Sequence, residues 1–384
     1  MIPKDLVYRV YNDTLAIIMD VPKNRVVLLQ NEPLKLWLNI LNNGQKNFTS
    51  QELNLLDELK LNGLVQSKMQ HTQNTTPSCD IQDVDISVVN YWAFKNHIPI
   101  SGHFELTSRC NLRCSHCYTM FSKKDTLTTK EVFKIIDEMQ MSGTLGLVLT
   151  GGEIFAREDI VDILRYFYEK KFVLRLNTNG VYIDEKMVEQ IKGFTNIYRI
   201  HISLYSAEEK IHDEITNQKG SFAKTLNAIK LLKEAGFTLR INCSLMQANK
   251  DTYKEIKTNI GDKLGVAVHY DPFIYPKDDG SQNNMYTTFN DEQMQDYDIF
   301  TDRKQDDGVK SKPKLCKAGY SFFSITENGG LYPCLKMKRC YTNPLGNLVH
   351  TSFYDIWNKS DSIKMIRASL DNKLRDCSVC DLKI

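Results

Sequence analysis

The chain has 384 residues, of which 42% are hydrophobic and 25% are charged, as is usual for a globular protein of two or three domains. Its formal net charge of +2 leaves no strong field for nucleic acid or an anionic membrane. No apolar run approaches the roughly 18 residues of a membrane-spanning helix, and the amino-terminal residues lack a signal-peptide pattern, so we expect a cytoplasmic protein.

Residues 1–66 predict a small domain of strands followed by helices. Residues 5–30 are rich in β-branched and aromatic side chains, and turn signals divide them into two or three strands. Two helices follow, the second opening with the capping box Thr49–Glu52, and Leu64–Val65 is a predicted return strand. This order predicts a winged-helix-like domain. Its acidic second helix disfavours nucleic acid and favours an extended peptide that adds to the sheet edge. A capping domain without a partner is the alternative.

Residues 67–98 begin with a polar stretch and are predicted to be a linker, in which Cys79 is a free thiol without a role. From 99 to 275, strands and helices alternate, which predicts an α/β fold, a partial (β/α)6 TIM-like barrel. Active sites on such folds collect at the carboxyl ends of the strands. The predicted strands are 103–107, 145–149, 173–177, 198–204, 238–245 and 266–271. The predicted helices are 128–141, 158–170, 184–193, 221–235 and 251–263.

Ten cysteines in a reducing compartment favour metal ligation over disulfides. Cys110, Cys114 and Cys117 follow the first predicted barrel strand and lie within eight residues. Three thiolates can hold three corners of a [4Fe–4S] cluster, which leaves the fourth iron open for chemistry. A zinc site completed by His116 or His103 is the alternative.

The second predicted barrel strand ends in Gly151, Gly152 and Glu153. Glycine lets the backbone approach a ligand closely, and a carboxylate can accept hydrogen bonds from an ammonium group. Together with Cys-x3-Cys-x2-Cys, this GGE motif resembles the radical S-adenosylmethionine (SAM) superfamily over residues 90–275. The resemblance implies that the amino and carboxylate groups of SAM chelate the open iron. It also implies that the GGE strand holds the methionine amine.

Further SAM contacts are expected from the same resemblance. Asn179 and Ser203 follow or end strands, His116 precedes the last cysteine, and Arg240 is expected to pair with the SAM carboxylate. Ordinary turn or capping roles are the alternative for each strand-end residue. His201 and Cys243 lie in apolar strands, where we expect core residues.

Residues 276–312 are predicted to be a loop, and residues 313–384 a small iron–sulfur domain with a hairpin turned at Asn328–Gly329. This tail resembles the SPASM/twitch extensions of radical SAM enzymes. The resemblance implies one auxiliary Fe–S cluster, in the shorter twitch form, with Cys340 left over. Its expected ligands are Cys316, Cys334, Cys377 and Cys380. A structural zinc ribbon is the alternative.

The amino-terminal domain resembles the PqqD-like element that grips the leader of a precursor peptide in ribosomal-peptide maturases. The combined resemblance implies an enzyme that makes a 5′-deoxyadenosyl radical and cross-links a peptide oxidatively, by thioether, carbon–carbon or ether bonds. A flavodoxin- or ferredoxin-type protein would supply electrons. Alternatives are a peptide epimerase, with Cys340 or Cys243 as hydrogen donor, and a twitch-type dehydrogenase of a small molecule or protein side chain. A zinc-bearing winged-helix regulator is the non-enzymatic alternative.

Overall fold

The computed structural model describes residues 2–43, 48–66, 80–300, 316–338 and 343–368, which form two β-sheets and their covering helices. The strands are β1 (Leu6–Tyr11), β2 (Leu15–Asp20), β3 (Arg25–Gln30), β4 (Ile81–Asp83), β5 (Ser101–Thr107), β6 (Gly146–Gly151), β7 (Val173–Thr178), β8 (Ile197–Ser203), β9 (Leu239–Ser244), β10 (Ala267–Asp271), β11 (Phe322–Ile325), β12 (Gly330–Tyr332) and β13 (Gly346–Asn347). The first ten helices are α1 (Asn31–Asn43), α2 (Ser50–Leu61), α3 (Ile86–Lys95), α4 (Thr129–Met141), α5 (Ile160–Glu169), α6 (Glu185–Ile191), α7 (Glu209–Thr216), α8 (Ser221–Glu234), α9 (Asp262–Leu264, after a π-helical turn Lys257–Gly261) and α10 (Asp291–Phe300). The tail adds α11 (Leu335–Lys338), α12 (Phe353–Lys359) and α13 (361–368).

The larger sheet has the order β10-β9-β8-β7-β6-β5-β11-β12-β13, and β5 to β10 run parallel. This confirms the predicted partial barrel of six strands. Along each strand, apolar residues such as Phe104, Leu149 and Ile200 are fully buried under the outer helices. The alternate positions carry polar side chains and face the inside of the barrel, which we call the lumen.

The smaller sheet, β1 to β4, is antiparallel and belongs to the amino-terminal part of the chain. Helices α1 and α2 cover one face, where the buried Trp37 donates from Nε1 to the carbonyl of Leu64 at 3.2 Å. Leu64 and Val65 are therefore core residues and not the predicted return strand. The strand that does return is β4, which pairs with β3.

The predicted linker 67–98 is wrong for residues 80–98, because they contain β4 and α3; residues 67–79, including Cys79, lie outside the described residues. The apolar face of α3, with Val89 and Ala93, packs between the second face of the small sheet and the amino ends of the barrel strands near Leu145 and Val173. The amino-terminal unit therefore extends past residue 66 and covers the amino end of the barrel.

A buried arginine fastens this unit to the barrel. Arg9 on β1 donates from Nε to the carbonyl of Thr144 and from Nη1 to that of Lys171, each at 2.7 Å. Its guanidinium also lies 4.5 Å from the ring centroid of Phe172. Because these partners lie just before β6 and β7, the amino-terminal unit is fixed at the end opposite to the carboxyl ends of the strands.

The tail extends the large sheet: β11 pairs in parallel with β5, and β12 returns antiparallel to it. The turn lies at the predicted Asn328–Gly329, where Gly329 has a φ of +84°. The predicted loop 276–312 is wrong in part, since α10 lies within it; residues 301–312 are outside the described part. Across the described ranges, no helix is long and apolar enough to cross a membrane.

Replacing Arg9 with methionine keeps much of the apolar stem but leaves the carbonyls of Thr144 and Lys171 without their donors. We expect the free energy of unfolding to fall by about 2 kcal/mol, the cost of unpaired buried polar groups. Urea denaturation measures this change. The control is Arg165→Met, since Arg165 is 51% exposed and pairs with Asp162 on the surface. Equal midpoints for the two variants would show that Arg9 does not hold the unit in place.

Candidate iron–sulfur and SAM site

The cysteine loop, residues 108–118, lies at the carboxyl end of β5. Its three thiols, Cys110, Cys114 and Cys117, line one cavity of about 490 Å³. Backbone hydrogen bonds from Arg113 and Ser115 to the last turn of α7 hold the loop, at 3.1 and 2.9 Å. Helix α7, which the sequence analysis did not identify, therefore anchors the predicted cluster ligands.

Burial makes the three thiols poor candidates for free thiolates. It raises the pKa of Cys110 to about 11 and also raises those of Cys114 and Cys117, and the charges of Cys117 and Cys110 add to the effect on Cys114. Three thiolates in this place need a positive counterion, which the iron of a cluster supplies. The donor set and the adjoining space therefore fit a [4Fe–4S] cluster. In the described part of the chain, no three His, Cys, Asp or Glu side chains are grouped to hold a single metal ion.

The two glycines of the GGE motif allow the cysteine loop to approach β6. Gly152 donates its N–H to the carbonyl of Thr107 at 2.7 Å, and Glu153 donates to that of Arg109 at 2.8 Å. A Cβ on Gly151 would overlap the carbonyl oxygen of Thr107, and one on Gly152 that of Arg109. The glycines were predicted to let the backbone approach a ligand closely. In the structure they let β6 approach the segment that carries the cysteines.

Glu153 joins the ends of two strands. Its side chain is 1% exposed. One carboxylate oxygen accepts from Thr178 Oγ1 at 2.8 Å and Phe155 N at 3.0 Å, and the other accepts from Asn179 N at 2.7 Å. These contacts make Glu153 a positioning residue for the ends of β6 and β7. Its predicted contact with the SAM ammonium stays a prediction, since two carboxylate oxygens can accept more than three hydrogen bonds.

The remaining predicted SAM residues line the same cavity as the cysteines: Gly151, Gly152, Asn179, Ser203, Arg240 and His116. Asn179 donates to Asn111 Oδ1 at 3.0 Å and lies 3.8 Å from Cys110 Sγ. His116 is partly buried, desolvation lowers its pKa to about 4, and its ring meets that of Tyr205 edge-on at 4.8 Å. These residues are placed for SAM, and their contacts with it stay predictions.

Some cavity residues were missed or misjudged from the sequence. His201, expected in the core, lies on the lumen side and lines the cavity. Cys243 is a fully buried core residue, as predicted, and also borders the cavity. Arg175 and His269 also line the cavity. Their positions along the strands could have identified them. Each lies an even number of residues from a polar residue at the end of its own strand, so both side chains lie on the same face.

The tail meets the cysteine loop through a buried cluster of charges. Lys338 Nζ lies 2.8 Å from Glu105 Oε2 and 2.9 Å from Asp278 Oδ2. Asp278 also donates its N–H to the carbonyl of Tyr118 in the cysteine loop at 2.9 Å. Burial raises the pKa of Glu105 to about 7 although Lys338 acts in the opposite direction. This charge cluster links the first strand, the cysteine loop and the tail.

Of the predicted tail ligands, Cys316 is exposed and Cys334 is half-buried at the start of α11. Burial raises the pKa of Cys334, and the charge of Cys316 adds to this effect, which indicates that the two thiols are near one another. The predictions for Cys340, Cys377 and Cys380 lie outside the described residues.

Substitution Gly152→Ala tests the contact between β6 and the cysteine loop. Its Cβ would overlap the Arg109 carbonyl, so the loop has to shift, and we expect the iron bound per chain after anaerobic reconstitution to fall at least twofold. The control Gly193→Ala adds a methyl group where no heavy atom lies within 4 Å. Full iron loading and an unchanged visible absorbance spectrum in Gly152→Ala would contradict this role of the glycine.

Comparison with known families supports both metal regions. The model of the radical SAM superfamily matches residues 104–257, and the model of the SPASM iron–sulfur cluster-binding domain matches residues 316–381. The second match includes all four predicted tail ligands. Because it is a match to SPASM, the shorter twitch form that we predicted is not the one identified.

Individual relatives act on different kinds of molecule. The antilisterial bacteriocin subtilosin biosynthesis protein AlbA of Bacillus subtilis is 28% identical over 273 residues, 68% of this chain and 60% of AlbA. An AdoMet-dependent heme synthase of Methanosarcina barkeri is 25% identical over 314 residues, 73% of this chain and 88% of the synthase. Among solved structures, Streptococcus suis SuiB bound to precursor peptide SuiA has a TM-score of 0.62 at 16% identity, over 96% of this chain and 90% of SuiB.

The SuiB comparison concerns the fold, and it extends over both sheets and the tail. The two family matches fall on the regions that hold the clustered cysteines, and the first of them also includes the GGE motif. The chain therefore carries a radical SAM domain over residues 104–257, which implies a [4Fe–4S] cluster that binds SAM in the barrel, and a SPASM iron–sulfur cluster-binding domain over residues 316–381.

Proposed function

We propose that this enzyme modifies a ribosomally made precursor peptide by oxidative cross-linking. The observation that carries the proposal is a separate sheet-and-helix unit fixed to the amino end of a SAM barrel by Arg9 and α3. SuiB, whose structure contains its precursor peptide, shares the fold over nearly the whole chain, and AlbA, a bacteriocin biosynthesis protein, is a sequence relative.

The amino-terminal sheet supports peptide recognition through its edges. In the described part of the chain, β1 and the three-residue β4 are the outer strands of this sheet. An extended leader peptide can add to such an edge by backbone hydrogen bonds, with side-chain pockets that give specificity. The acidic residues of α2 suit a peptide better than a nucleic acid. On this proposal, the unit holds the leader while the segment to be modified enters the lumen.

The two metal regions suit a net oxidation. A bound SAM-ligated cluster supplies the 5′-deoxyadenosyl radical, which abstracts a hydrogen atom from an unactivated carbon. Forming a thioether from a thiol and a C–H group removes two hydrogen atoms from the peptide. One goes to the radical, and the other leaves as a proton and an electron. The SPASM iron–sulfur site, which we propose to hold one auxiliary cluster, is the acceptor for that electron.

The first electron has to come from outside the chain, and we propose a flavodoxin- or ferredoxin-type donor. A reducing compartment, which we take to be the cytoplasm, suits the six cysteines of the described residues, all of which are free thiols. An oxidising compartment would favour disulfides between such thiols.

Two other reactions use the same radical. A peptide epimerase needs a cysteine that donates a hydrogen atom. Cys243 lines the same cavity as the cluster cysteines, and burial raises its pKa and so keeps its S–H, but its side chain is fully buried. A dehydrogenase of small molecules would not need the amino-terminal unit. The heme synthase relative is an example of a similar protein that is named for a small-molecule product. A measurement of leader binding distinguishes this alternative from peptide modification.

The reaction is tested by inspecting the neighbouring genes for a short cysteine-rich open reading frame and reconstituting the enzyme anaerobically with the peptide that it encodes. We expect a product that lacks two hydrogen atoms per cross-link, detected by mass spectrometry. Cys114→Ala should abolish SAM cleavage, because it removes a cluster ligand. Cys334→Ser should retain SAM cleavage and lose the product at least tenfold, whereas Cys79→Ser should retain both. Unchanged product from Cys334→Ser would contradict the electron-acceptor role of the tail.

Leader recognition is tested with the full-length enzyme and two halves of the same peptide, its leader and its core, by fluorescence polarisation. We expect the leader alone to bind and to compete with the whole peptide. A scrambled leader of equal composition is the control. Equal affinity for the leader and the scrambled leader would favour the small-molecule dehydrogenase.

A further inference from the structure

Three arginines occupy neighbouring strands on the lumen face of the barrel. Arg175 on β7 pairs in register with Arg199 on β8, and Arg240 on β9 pairs with His201 on β8. The residues next to them in sequence, such as Leu176 and Ile200, are fully buried in the core outside the barrel strands. Since strand side chains alternate, Arg175, Arg199 and Arg240 point inward, and we call them the lumen arginines.

The lumen arginines are not neutralised within the described residues. Arg240 Nε donates to the neutral Asn242 Oδ1 at 3.0 Å. The guanidinium groups of Arg175 and Arg199 lie 5.5 and 5.2 Å from the ring centroid of Tyr198. Burial and the positive charges of the other two lower the pKa of Arg240. Arg175 and Arg240 line the cavity of the cysteines, and Arg199 lies beside Arg175 on the next strand. Neighbouring positive charges without a carboxylate partner among the described residues form a site for an anion.

Unpaired polar atoms lie on the same face. Arg199 Nε, His201 Nε2 and Asn177 Oδ1 are buried and have no hydrogen-bond partner among the described residues. His201 is 8% exposed, and burial together with the arginine charges lowers its pKa to about 3, so its imidazole is neutral at physiological pH. Each buried polar atom without a partner destabilises the fold unless a ligand pairs with it. A bound carboxylate would accept from Arg199 and His201.

SAM does not account for this site. Arg175 precedes Asn179, the neighbour of Cys110, by four residues, which is about 13 Å along a strand. Arg175 also lines a second cavity, of about 530 Å³, at the amino end of the barrel. The SAM carboxylate belongs at the open iron, at the carboxyl end, and its predicted pairing with Arg240 would leave Arg175 and Arg199 without an anion. SAM also carries an ammonium and a sulfonium group, so it adds positive charge rather than neutralising the lumen.

On the opposite wall, Glu105 of β5 faces the lumen but already has a cationic partner. Glu105 pairs with Lys338 at 2.8 Å. Asp271 at the rim of the cavity accepts from the N–H of Phe273 at 3.0 Å. The lumen is therefore divided, with a balanced charge cluster beside β5 and unbalanced positive charge on β7, β8 and β9.

We propose that the lumen arginines bind a carboxylate of the substrate, so that the peptide segment that enters the barrel carries an Asp or Glu side chain or a free carboxyl terminus. Binding it there would place the neighbouring carbons between the arginines and the SAM site. This inference rests on the proposed function only in taking the substrate to be a peptide.

The test uses the iron- and SAM-loaded enzyme under anaerobic conditions and isothermal titration calorimetry. The probes are acetyl-Ala-Glu-Ala-amide, the matched acetyl-Ala-Gln-Ala-amide, acetyl-Ala-Ala with a free carboxyl terminus, and glutarate. We expect at least one carboxylate peptide to bind the wild type about tenfold or more tightly than the glutamine peptide, a difference of about 1.4 kcal/mol. Whether the glutamate or the free terminus binds more tightly identifies the source of the carboxylate.

Variants locate the binding. Arg175→Gln and Arg199→Gln should remove the preference for the carboxylate, and Arg165→Gln, on the exposed surface of α5, should keep it. Equal binding of acid and amide peptides by the wild type would overturn the proposal, and this comparison needs no variant that folds. Weakening of peptide-free SAM binding in Arg175→Gln as large as that of acid binding would assign the arginines to SAM and also overturn it. Binding of glutarate without any peptide would support the carboxylate site and count against the peptide substrate.

Discussion

The site depends on how the ends of β5, β6 and β7 are held together. One buried carboxylate, that of Glu153, accepts three hydrogen bonds, from Thr178, Asn179 and Phe155. The glycines before it let the backbone of the cysteine loop lie directly against β6. Because a buried carboxylate is costly unless it is fully hydrogen-bonded, this arrangement tolerates little displacement. The same contacts limit the movement of the cysteine loop. A rigid loop suits ligands that must hold three corners of one cluster while the fourth stays open.

The two ends of the barrel have different tasks. The carboxyl ends of the strands carry the cysteine loop, and the amino ends are covered by α3 and the small sheet. Between them, the lumen is lined by polar and positively charged side chains rather than filled by a packed core. A peptide held by the amino-terminal unit and a cofactor held by the cysteines would thus meet in a space whose charge selects what enters.

Much of the barrel was predictable because apolar and polar residues alternate along its strands, and turn signals mark where the strands begin and end. The prediction 173–177 corresponds to β7 at Val173–Thr178, and the prediction 238–245 to β9 at Leu239–Ser244. Helices α3 and α7 were missed, since α3 follows the polar stretch that was interpreted as a linker and α7 lies between two predicted elements. Tertiary packing stabilises such short helices more than their own sequence does. The cysteines and the GGE motif were recognised locally. The hydrogen-bond partners of Glu153 and the proximity of the lumen arginines depend on strand register. Register cannot be predicted from any one segment of the sequence.

The charge cluster around Lys338 has a consequence for exchanging parts between related enzymes. Glu105 is 3% exposed at its side chain and belongs to the barrel, whereas Lys338 is supplied by the tail. A SPASM domain grafted from another protein would have to bring a cation to this position. Without one, the graft would leave a buried charge unmatched, and removing one member of such a pair costs more than the pair itself contributes. The two domains are therefore not freely interchangeable modules, although each is recognisable separately in the sequence.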